Sequence, residues 1–289
     1  MFDFISPLEK VRKNEPLVQC ITNFVTVNDC ANMILAAGGS PSMAQDMREV
    51  EEAVCRSNAL VCNMGAIEFT ESMILAGKKA NSLGIPVVLD PVAAGGTSLR
   101  REVSKRLLRE VHFTAIRGNA SEIRYLAGQD SAGSGVDVAM EDVITEENID
   151  GMIEAAFTLA NNTGSIVAVS GPVDIITNGE NTVLLRNGCP TMARITGSGC
   201  MLTALIGAFC GSNKEDYFSA VCSAMAVMGI SGEQAEKRRL EKGTGNASFR
   251  TDLIDAVFNM DEKRLSGGIR DEIYKGRNER FNAFICCDR

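Results

Sequence analysis

The sequence predicts an α/β fold in which helices cover both faces of a mostly parallel central sheet. Short apolar segments alternate with segments of helical period along most of the 289 residues, and this alternation is typical of parallel sheets with crossover helices. The apolar segments also end in polar residues, at the edge where open sheets of this class bind ligands. No internal repeat or long linker divides the chain, so we expect a single domain over residues 1–289.

Five segments predict parallel strands, and two long segments between them predict crossover helices. The strands, which are rich in aliphatic and β-branched residues, are predicted at residues 17–21, 59–63, 86–90, 113–117 and 166–170. One helix is predicted over residues 69–83 and ends before Gly84. The other is predicted over residues 146–161, begins after Thr145 and ends near Gly164.

The second half of the chain departs from the parallel pattern. Residues 173–177 and 181–185 flank an Asn-Gly-Glu turn, which predicts an antiparallel hairpin. After residue 194 the chain is predicted to be helical almost to residue 259, with a break at residues 211–212 and a capping box from Ser212 to Glu215. Residues 129–142 predict an exposed loop, while the tail over residues 265–289 gives no firm prediction.

Charge and hydropathy exclude several classes of protein. The chain has 37 acidic against 29 basic residues and a net charge of −8. Its dense basic runs, at residues 237–239 and 263–264, are short and interleaved with acids, so we expect no nucleic-acid partner. The longest apolar runs fall far short of the roughly 20 residues that a membrane helix needs. The first residues also lack the pattern of a secretory signal, and we expect a cytoplasmic protein with no membrane partner.

Ten cysteines and a single histidine narrow the chemistry further. No C-x-x-C pair is present, which argues against zinc-ribbon and thioredoxin sites. Most of the cysteines lie in apolar segments, where a free thiol behaves as a small buried hydrophobe in a reducing compartment. Since His112 is the only histidine, a multi-histidine metal site is excluded and only one Cys-His pairing is available.

The most informative segment is a glycine-rich turn at residues 196–200, TGSGC, which leads directly into an apolar helix. Glycines permit a tight turn, and the free N–H groups at a helix start bind anions, so this turn suits a transferring phosphoryl group. The same helix start is expected to lower the pKa of Cys200 and favour its thiolate as base or nucleophile. A close-packed turn with a buried cysteine is the alternative, and the spacing matches neither a Walker A motif nor a dinucleotide fingerprint.

Polar residues that follow two other strands suit phosphate and magnesium. If the strand ends near Arg117, the ligand edge of the sheet brings together Arg117, Asn119 and Glu122. Arginine suits phosphate, and glutamate suits hydrated Mg²⁺. The alternative is a helix cap beside a surface ion pair. Asp90 ends another strand and, with Glu122, offers a second acidic ligand for phosphate-bound Mg²⁺, unless it only forms a turn before a proline.

Two residues near the N-terminus suit a small aromatic ligand. Such a ligand can lie on Met43 and form a hydrogen bond with Asn23. Core packing for Met43 and helix capping for Asn23 are the alternatives.

In their order along the chain, these segments resemble the hydroxyethylthiazole kinase family of the ribokinase-like superfamily. The resemblance covers about residues 10–260, and six ordered matches make it far more specific than one motif. The matching segments are CITN with VTVN at 20–28, GSPSMA at 39–44, VLDPV at 88–92, IRGNASE at 116–122, VSG at 169–171 and TGSGC at 196–200.

The resemblance implies ATP-dependent phosphorylation, with Mg²⁺, of the primary alcohol of 4-methyl-5-(2-hydroxyethyl)thiazole in thiamine salvage. It also implies a homotrimer with sites between subunits. Cys200 takes the place of the aspartate base that superfamily relatives usually have, and Ser170 stands where the family commonly has threonine. The other implied roles are Arg117, Ser170 and Asn119 for ATP; Met43, Gly197 and Asn23 for the thiazole; Gly197, Ser198, Gly199 and Cys200 for the anion hole; and Asp90 and Glu122 for the metal.

Three other functions stay open at the level of the sequence. The first is a ribokinase-like kinase that acts on another small alcohol, such as hydroxymethylpyrimidine. The second is a hydrolase with a cysteine nucleophile and His112 as base, and the third is a non-catalytic binding protein. His112 precedes its predicted strand instead of following it, which argues against the hydrolase.

Overall fold

The computed structural model describes residues 2–129, 144–145 and 148–274. The loop predicted at residues 129–142 lies, apart from its first residue, outside the described part of the chain. Within that part, none of the helices combines the length and the hydropathy that a membrane span requires.

The described strands form one sheet, in the spatial order β2-β1-β3-β4-β5-β6-β7-β8-β9. Neighbours from β2 to β6 are parallel, and those from β6 to β9 are antiparallel. The strands are β1 Leu17–Ile21, β2 Ser40–Ser42, β3 Ala59–Asn63, β4 Val87–Asp90, β5 Ala115–Asn119, β6 Ile166–Ser170, β7 Asp174–Thr177, β8 Thr182–Leu185 and β9 Asp271–Ile273.

Helices lie on both faces of this sheet, as the sequence predicts. One apolar layer packs α1, α2 and α8 to α11 against one face, and a second layer packs α3 to α7 against the other. The helices are α1 Ser6–Asn14, α2 Val27–Ala37, α3 Val50–Cys55, α4 Thr70–Ser82, α5 Ser98–Glu110, α6 Ala120–Leu126, α7 Ile149–Thr163, α8 Ser198–Ser212, α9 Tyr217–Lys242, α10 Asn246–Phe258 and α11 Glu262–Gly268.

The side chains of the central strands point alternately into the two apolar layers. In β3, Ala59 and Val61 face one layer while Leu60 and Cys62 face the other, and all four are buried. Side chains of successive strand residues point to opposite faces, so a strand covered on both sides must be apolar throughout. This explains why the central strands are continuous apolar runs in the sequence.

The helix after the glycine-rich turn is buried almost along its whole length. α8 carries no charged residue, and it contacts β1, β3 and β4. Its first residues therefore lie beside the carboxyl ends of these three strands, which is the geometry that positions the site.

Four strand predictions are wrong at their boundaries. The hairpin strands predicted at residues 173–177 and 181–185 each begin one residue later, at Asp174 and Thr182. The strand predicted at residues 113–117 is Ala115–Asn119, and the strand predicted from residue 86 begins at Val87. Pairing decides both bounds, because β4 and β5 align with Val88 opposite Ala115. β5 consequently runs directly into α6, with no loop between strand and helix.

Two predicted helix starts are also wrong. Thr145 is not the residue before α7: Asn148 takes that place, and its side chain accepts the backbone N–H of Thr145 at 2.8 Å. No capping box joins Ser212 and Glu215, because Asp216 caps α9 by accepting the backbone N–H of Ser219 at 3.0 Å. An aspartate next to the helix competes better for the free N–H groups than a serine four residues earlier.

The described part of the tail adds one helix and one strand. α11 ends at Gly268, and β9 pairs antiparallel with β8 at the end of the sheet. A three-residue strand carries too short a pattern to be recognised in a sequence, and its register depends on pairing with β8.

Candidate active site

The first turn of α8 forms the centre of the candidate active site. Gly197 precedes the helix with φ +79°, a left-handed conformation that favours glycine, and Cys200 is the third helical residue. The carbonyl of Gly197 accepts the first helical bond, from Met201 N, at 2.8 Å. The N–H groups of residues 198–200, in the first turn, have no partner within the helix, as an anion site requires.

The sulfur of Cys200 lies against two asparagine side chains. Asn63 Nδ2 donates to Sγ at 3.2 Å, and Asn23 Nδ2 donates to the same atom at 3.5 Å. Asn23 also accepts a hydrogen bond from Thr26 Oγ1 at 3.2 Å. Asn23, predicted as a substrate contact, is therefore in direct contact with the predicted catalytic thiol.

Asp90 belongs to the same network and is 1% exposed. Its Oδ2 accepts hydrogen bonds from Asn63 Nδ2 at 2.8 Å and from Thr203 Oγ1 at 2.9 Å. Its Oδ1 lies 3.7 Å from Arg117 Nη1 and has no hydrogen-bond partner among the described residues. Burial raises the pKa of Asp90, and the Arg117 charge opposes that rise. The side chain thus serves more than a turn before a proline.

Glu122 is buried beside Asp90 and forms a capping box with Asn119. Its Oε2 accepts the backbone N–H of Asn119 at 2.7 Å, and Asn119 Oδ1 accepts that of Glu122 at 2.9 Å. Its Oε1 accepts Ala93 N at 2.8 Å. Burial, followed by the negative charge of Asp90, raises the pKa of Glu122. The helix-cap alternative is therefore correct for Asn119 and Glu122, and this capping box holds the Glu122 carboxylate at the carboxyl edge of the sheet.

Arg117 links this acidic pair to the glycine-rich turn. Its side chain is 11% exposed, so the surface ion pair considered from the sequence is wrong. Its Nη2 donates to Ser170 Oγ, and a Cβ atom at Gly199 would overlap its guanidinium group. Glycine at 199 is thus required for the arginine to approach the helix start.

A cavity of about 640 Å³ opens from this turn. Its lining combines groups that suit phosphate, namely Arg117, Asn119, Ser170, Ser198 and Gly199, with apolar side chains that include Met192, Met225 and Met228. A nucleotide has this distribution of polarity, with a charged phosphate chain and a flat apolar base.

The predicted pKa shift of Cys200 is wrong in direction. Burial raises the pKa of this thiol, and the nearby charge of Asp90 raises it further. Hydrogen bonds from Thr26 and Asn63 and the charge of Arg117 lower the pKa but do not outweigh burial. The Cys200 thiol lies close to a buried carboxylate, and the sequence pattern does not reveal this.

The remaining candidates lie away from the cavity. Met43 follows the edge strand β2, is partly buried and packs against an apolar layer, and it is not among the residues that line the cavity. His112 is exposed and precedes β5, so it lies at the opposite edge of the sheet from Cys200. The hydrolase with a Cys-His pair is therefore excluded by position.

The other described cysteines are free and differ in exposure. Cys20, Cys30, Cys62, Cys210 and Cys222 are buried, as expected for small hydrophobes. Cys55 is exposed and Cys189 is partly buried, so burial in an apolar layer does not describe all of them.

Two functional candidates, Asn63 and Thr203, are absent from the sequence-based set. Asn63 carried a usable signal, since it is the polar residue that ends the central strand β3. Thr203 carried none, because it lies within the apolar helix α8 and only the packing of that helix brings it to Asp90.

Comparison with known proteins identifies the family. Residues 8–263 match the sequence profile of the hydroxyethylthiazole kinase family. The chain belongs to the hydroxyethylthiazole kinase family. A hydroxyethylthiazole kinase from Desulfovibrio desulfuricans is 46% identical over 267 residues, which are 89% of this chain and 94% of that protein.

Solved structures agree with this family membership. The structure of a hydroxyethylthiazole kinase protein from Pyrococcus horikoshii OT3 superimposes with a TM-score of 0.82 and 34% identity, over 94% of this chain and 99% of that one. A pyridoxal kinase from Staphylococcus aureus, in complex with AMP-PCP and pyridoxal, matches at a TM-score of 0.55 and 15% identity, over 75% and 87% of the two chains. At that identity the similarity shows the fold alone, and it confirms the predicted ribokinase-like architecture.

Asp174, a buried carboxyl that lines the cavity, leads to a prediction about stability and pH. Its Oδ1 accepts Gly171 N at 2.9 Å, and burial raises its pKa to about 7. Because the folded protein then binds more protons than the unfolded chain between about pH 4 and pH 7, stability falls as pH rises through this window. Asp174→Asn keeps an acceptor for Gly171, so we expect it to stabilise the protein at pH 8, by about 4 kcal/mol as an upper bound, and to have little effect at pH 4.

Urea unfolding at pH 4, 6 and 8 measures this difference. Asp255→Asn, which neutralises an exposed carboxylate, is the matched control and should change stability by the same small amount at each pH. A constant difference between Asp174→Asn and the wild type across the three pH values would contradict the prediction.

Proposed function

We propose that this protein transfers the γ-phosphoryl group of ATP to the primary alcohol of 4-methyl-5-(2-hydroxyethyl)thiazole, as an enzyme of thiamine salvage. The observation that carries the proposal is the position of Cys200, which starts α8 beside Asp90 and next to a cavity lined by Arg117 and Ser170. Family membership supplies the substrate class, and it favours this function over the hydroxymethylpyrimidine kinase and over a non-catalytic protein.

ATP fits the cavity with its phosphates against the polar groups. Arg117, Ser170 and Asn119 line the cavity and offer cationic and neutral donors to phosphate oxygens. The amides of residues 197–200 form the anion hole for the transferring group, since they combine free N–H groups with the positive end of the helix dipole. The apolar side chains, with Met225 and Met228, then receive the base.

Asp90 and Glu122 suit a magnesium ion bound to the phosphates. The two carboxylates are buried near one another, and Oδ1 of Asp90 is buried without a hydrogen-bond partner among the described residues. Two adjacent buried carboxylates repel one another, and a divalent cation relieves that repulsion. When bound, Mg²⁺ neutralises charge that develops on the transferring phosphoryl group. The chain's own part is to hold these two oxygens still, which Asn63, Thr203 and the Asn119 capping box do.

Cys200 accepts the proton of the substrate hydroxyl. Its raised pKa makes the thiolate a minority form at neutral pH but a more basic acceptor. Phosphoryl transfer proceeds through a loose transition state, in which the attacking oxygen forms little bond before the leaving group departs. Positioning and charge neutralisation consequently matter more than the strength of the base, so the minority thiolate of Cys200 is sufficient, and it becomes a neutral thiol when it takes the hydroxyl proton.

The thiazole is proposed to lie between Gly197, Asn23 and Met43, in a homotrimer whose sites are shared between subunits. Met43 directly follows the edge strand β2 and is not among the residues that line the cavity. Apolar side chains are exposed in the same region, since Phe24 is 84% and Met47 52% exposed. Exposed apolar side chains beside an open site support a neighbouring subunit there. Sedimentation equilibrium of the full chain measures the assembly state.

We also propose one catalytic domain that works in the cytoplasm without nucleic acid. The described strands form a single sheet, and the described cysteines are free, as in a reducing compartment.

A kinase assay with two alcohols tests the proposed function. ADP formation is followed with ATP, Mg²⁺ and either the thiazole alcohol or hydroxymethylpyrimidine, at matched concentrations. We expect kcat/KM to be at least about 100-fold higher for the thiazole alcohol, because a pocket shaped for one ring loses several contacts with the other. A preference for the pyrimidine would establish the alternative kinase, and nucleotide binding without turnover of either alcohol would favour the non-catalytic protein.

A further inference from the structure

Asn63 occupies the centre of the polar network and has no role in the resemblance from which the site was first assigned. It is the last residue of β3, it lies opposite Asp90 in the register of β4, and it is 1% exposed. A polar side chain this deeply buried is costly unless its hydrogen bonds are made. The structure shows that all of them are.

The side-chain amide of Asn63 uses its full hydrogen-bonding capacity. Nδ2 donates to Asp90 Oδ2 at 2.8 Å and to Cys200 Sγ at 3.2 Å. Oδ1 accepts from Gly65 N at 2.8 Å and from Asn23 Nδ2 at 3.2 Å. An amide offers two N–H donors and two lone pairs, so no further bond is available to it.

The orientation of this amide is therefore fixed. If the amide were flipped, its oxygen would face the Asp90 carboxylate and its N–H groups would face the N–H of Gly65, and both arrangements are repulsive. The one orientation that satisfies the network directs both donors at Asp90 and Cys200.

The backbone around Asn63 reserves space for the network. A Cβ atom at Gly65 would lie 2.7 Å from Asn63 Oδ1 and 2.9 Å from Asn23 Nδ2. Any side chain at 65 would displace one of these two amides, both of which contact the sulfur of Cys200. The glycine is thus part of the same arrangement.

We propose that Asn63 is a positioning residue for phosphoryl transfer: its bridging amide holds the sulfur of Cys200 in one orientation against the carboxylate of Asp90. This inference rests on the proposed function, in which Cys200 accepts the hydroxyl proton. A cysteine side chain in a helix has two favourable staggered rotamers, and the directed contact with Asn63 selects one of them. Asparagine suits this position because aspartate would repel Asp90, while an aliphatic residue would remove one of the two side-chain donors to Asp90 and leave Thr203 as the other.

A double-mutant cycle separates this role from a structural one. Asn63→Ala is expected to lower kcat by roughly 30-fold, within the range that a misplaced reacting group costs, with KM for ATP within about threefold, since Asn63 does not line the cavity. Thr203→Val is the matched comparison, because it removes another donor to Asp90 without touching the sulfur. In a Cys200→Ala background the effect of Asn63→Ala should shrink to that of Thr203→Val.

Three results would overturn the proposal. The first is an equal loss of kcat from Asn63→Ala in the presence and in the absence of the Cys200 thiol. The second is full activity of Cys200→Ala. The third is a loss confined to KM for ATP. Should Asn63→Ala fail to fold, Asn63→Ser keeps a single donor, and its kcat should lie between those of the wild type and Cys200→Ala; a value at or below that of Cys200→Ala contradicts the proposal.

A crystal structure of Asn63→Ala gives a readout that does not depend on kinase activity. We expect the Cys200 sulfur to adopt a different rotamer from the wild type, away from Asp90. A sulfur in its original place would overturn the proposal even if the enzyme were a thiazole kinase. Conversely, a displaced sulfur in a protein that phosphorylates no alcohol would support the positioning role and refute the proposed function.

Discussion

Cys200→Ala should lower kcat by at least about 100-fold, the lower end of what a positioned proton acceptor contributes. KM for ATP should change by less than about threefold, since the thiol is not among the groups that line the nucleotide cavity. The variant removes the atom that Asn63 and Asn23 contact, and it leaves intact the proposed anion hole, which consists of backbone amides. Steady-state kinetics with the thiazole alcohol and ATP give both constants.

Cys210→Ala is the matched control for this variant. It removes the same atom from the same helix, but Cys210 is fully buried in the apolar layer at the far end of α8. We expect kcat within about twofold of the wild type, because distant core truncations act on stability instead of chemistry. Wild-type turnover by Cys200→Ala, with both variants folded, would remove the thiol from the mechanism.

The fold could be predicted from the sequence where one local pattern determined it. The apolar runs of β1, β3 and β6 have the predicted bounds, since strands buried on both faces leave a clear signal. The bounds of β5 shifted by two residues because pairing with β4, rather than composition, sets them. The strand β9 could not be predicted because its three residues derive their structure from β8.

The sequence indicated several members of the candidate site but not the network of contacts that joins them. The sequence placed Cys200, Asp90 and Arg117 at one edge of the sheet, and the structure brings them together. It gave the wrong direction for the pKa of Cys200, because a helix start is a local feature while burial depends on the whole fold. Thr203 could not be predicted either, because it is one polar residue in an apolar helix and only the packing of the whole fold brings it to Asp90.

Gly197→Ala is expected to reduce both stability and activity, because two independent constraints act at this residue. Its φ of +79° lies in the left-handed region, where a non-glycine residue costs about 1–3 kcal/mol. A Cβ atom there would also overlap the methyl group of Thr26. Thr26 donates a hydrogen bond to Asn23, which in turn contacts the sulfur of Cys200, so a displaced Thr26 moves the neighbours of this sulfur. We expect kcat/KM for the thiazole alcohol to fall more than about 100-fold.

Gly243→Ala separates the two constraints. Gly243 also has a left-handed φ, +63°, where it ends α9, but a Cβ atom there would meet nothing within 4 Å. This control should lose about 1 kcal/mol of stability from backbone strain and retain normal kinetics. Thermal unfolding and steady-state kinetics of the two variants together give the comparison. If Gly197→Ala matched Gly243→Ala in both thermal stability and kinetics, the turn before α8 would only be a helix boundary. A loss of activity far beyond the shared loss of stability would instead show that the turn must hold its backbone amides and Thr26 in place for phosphoryl transfer.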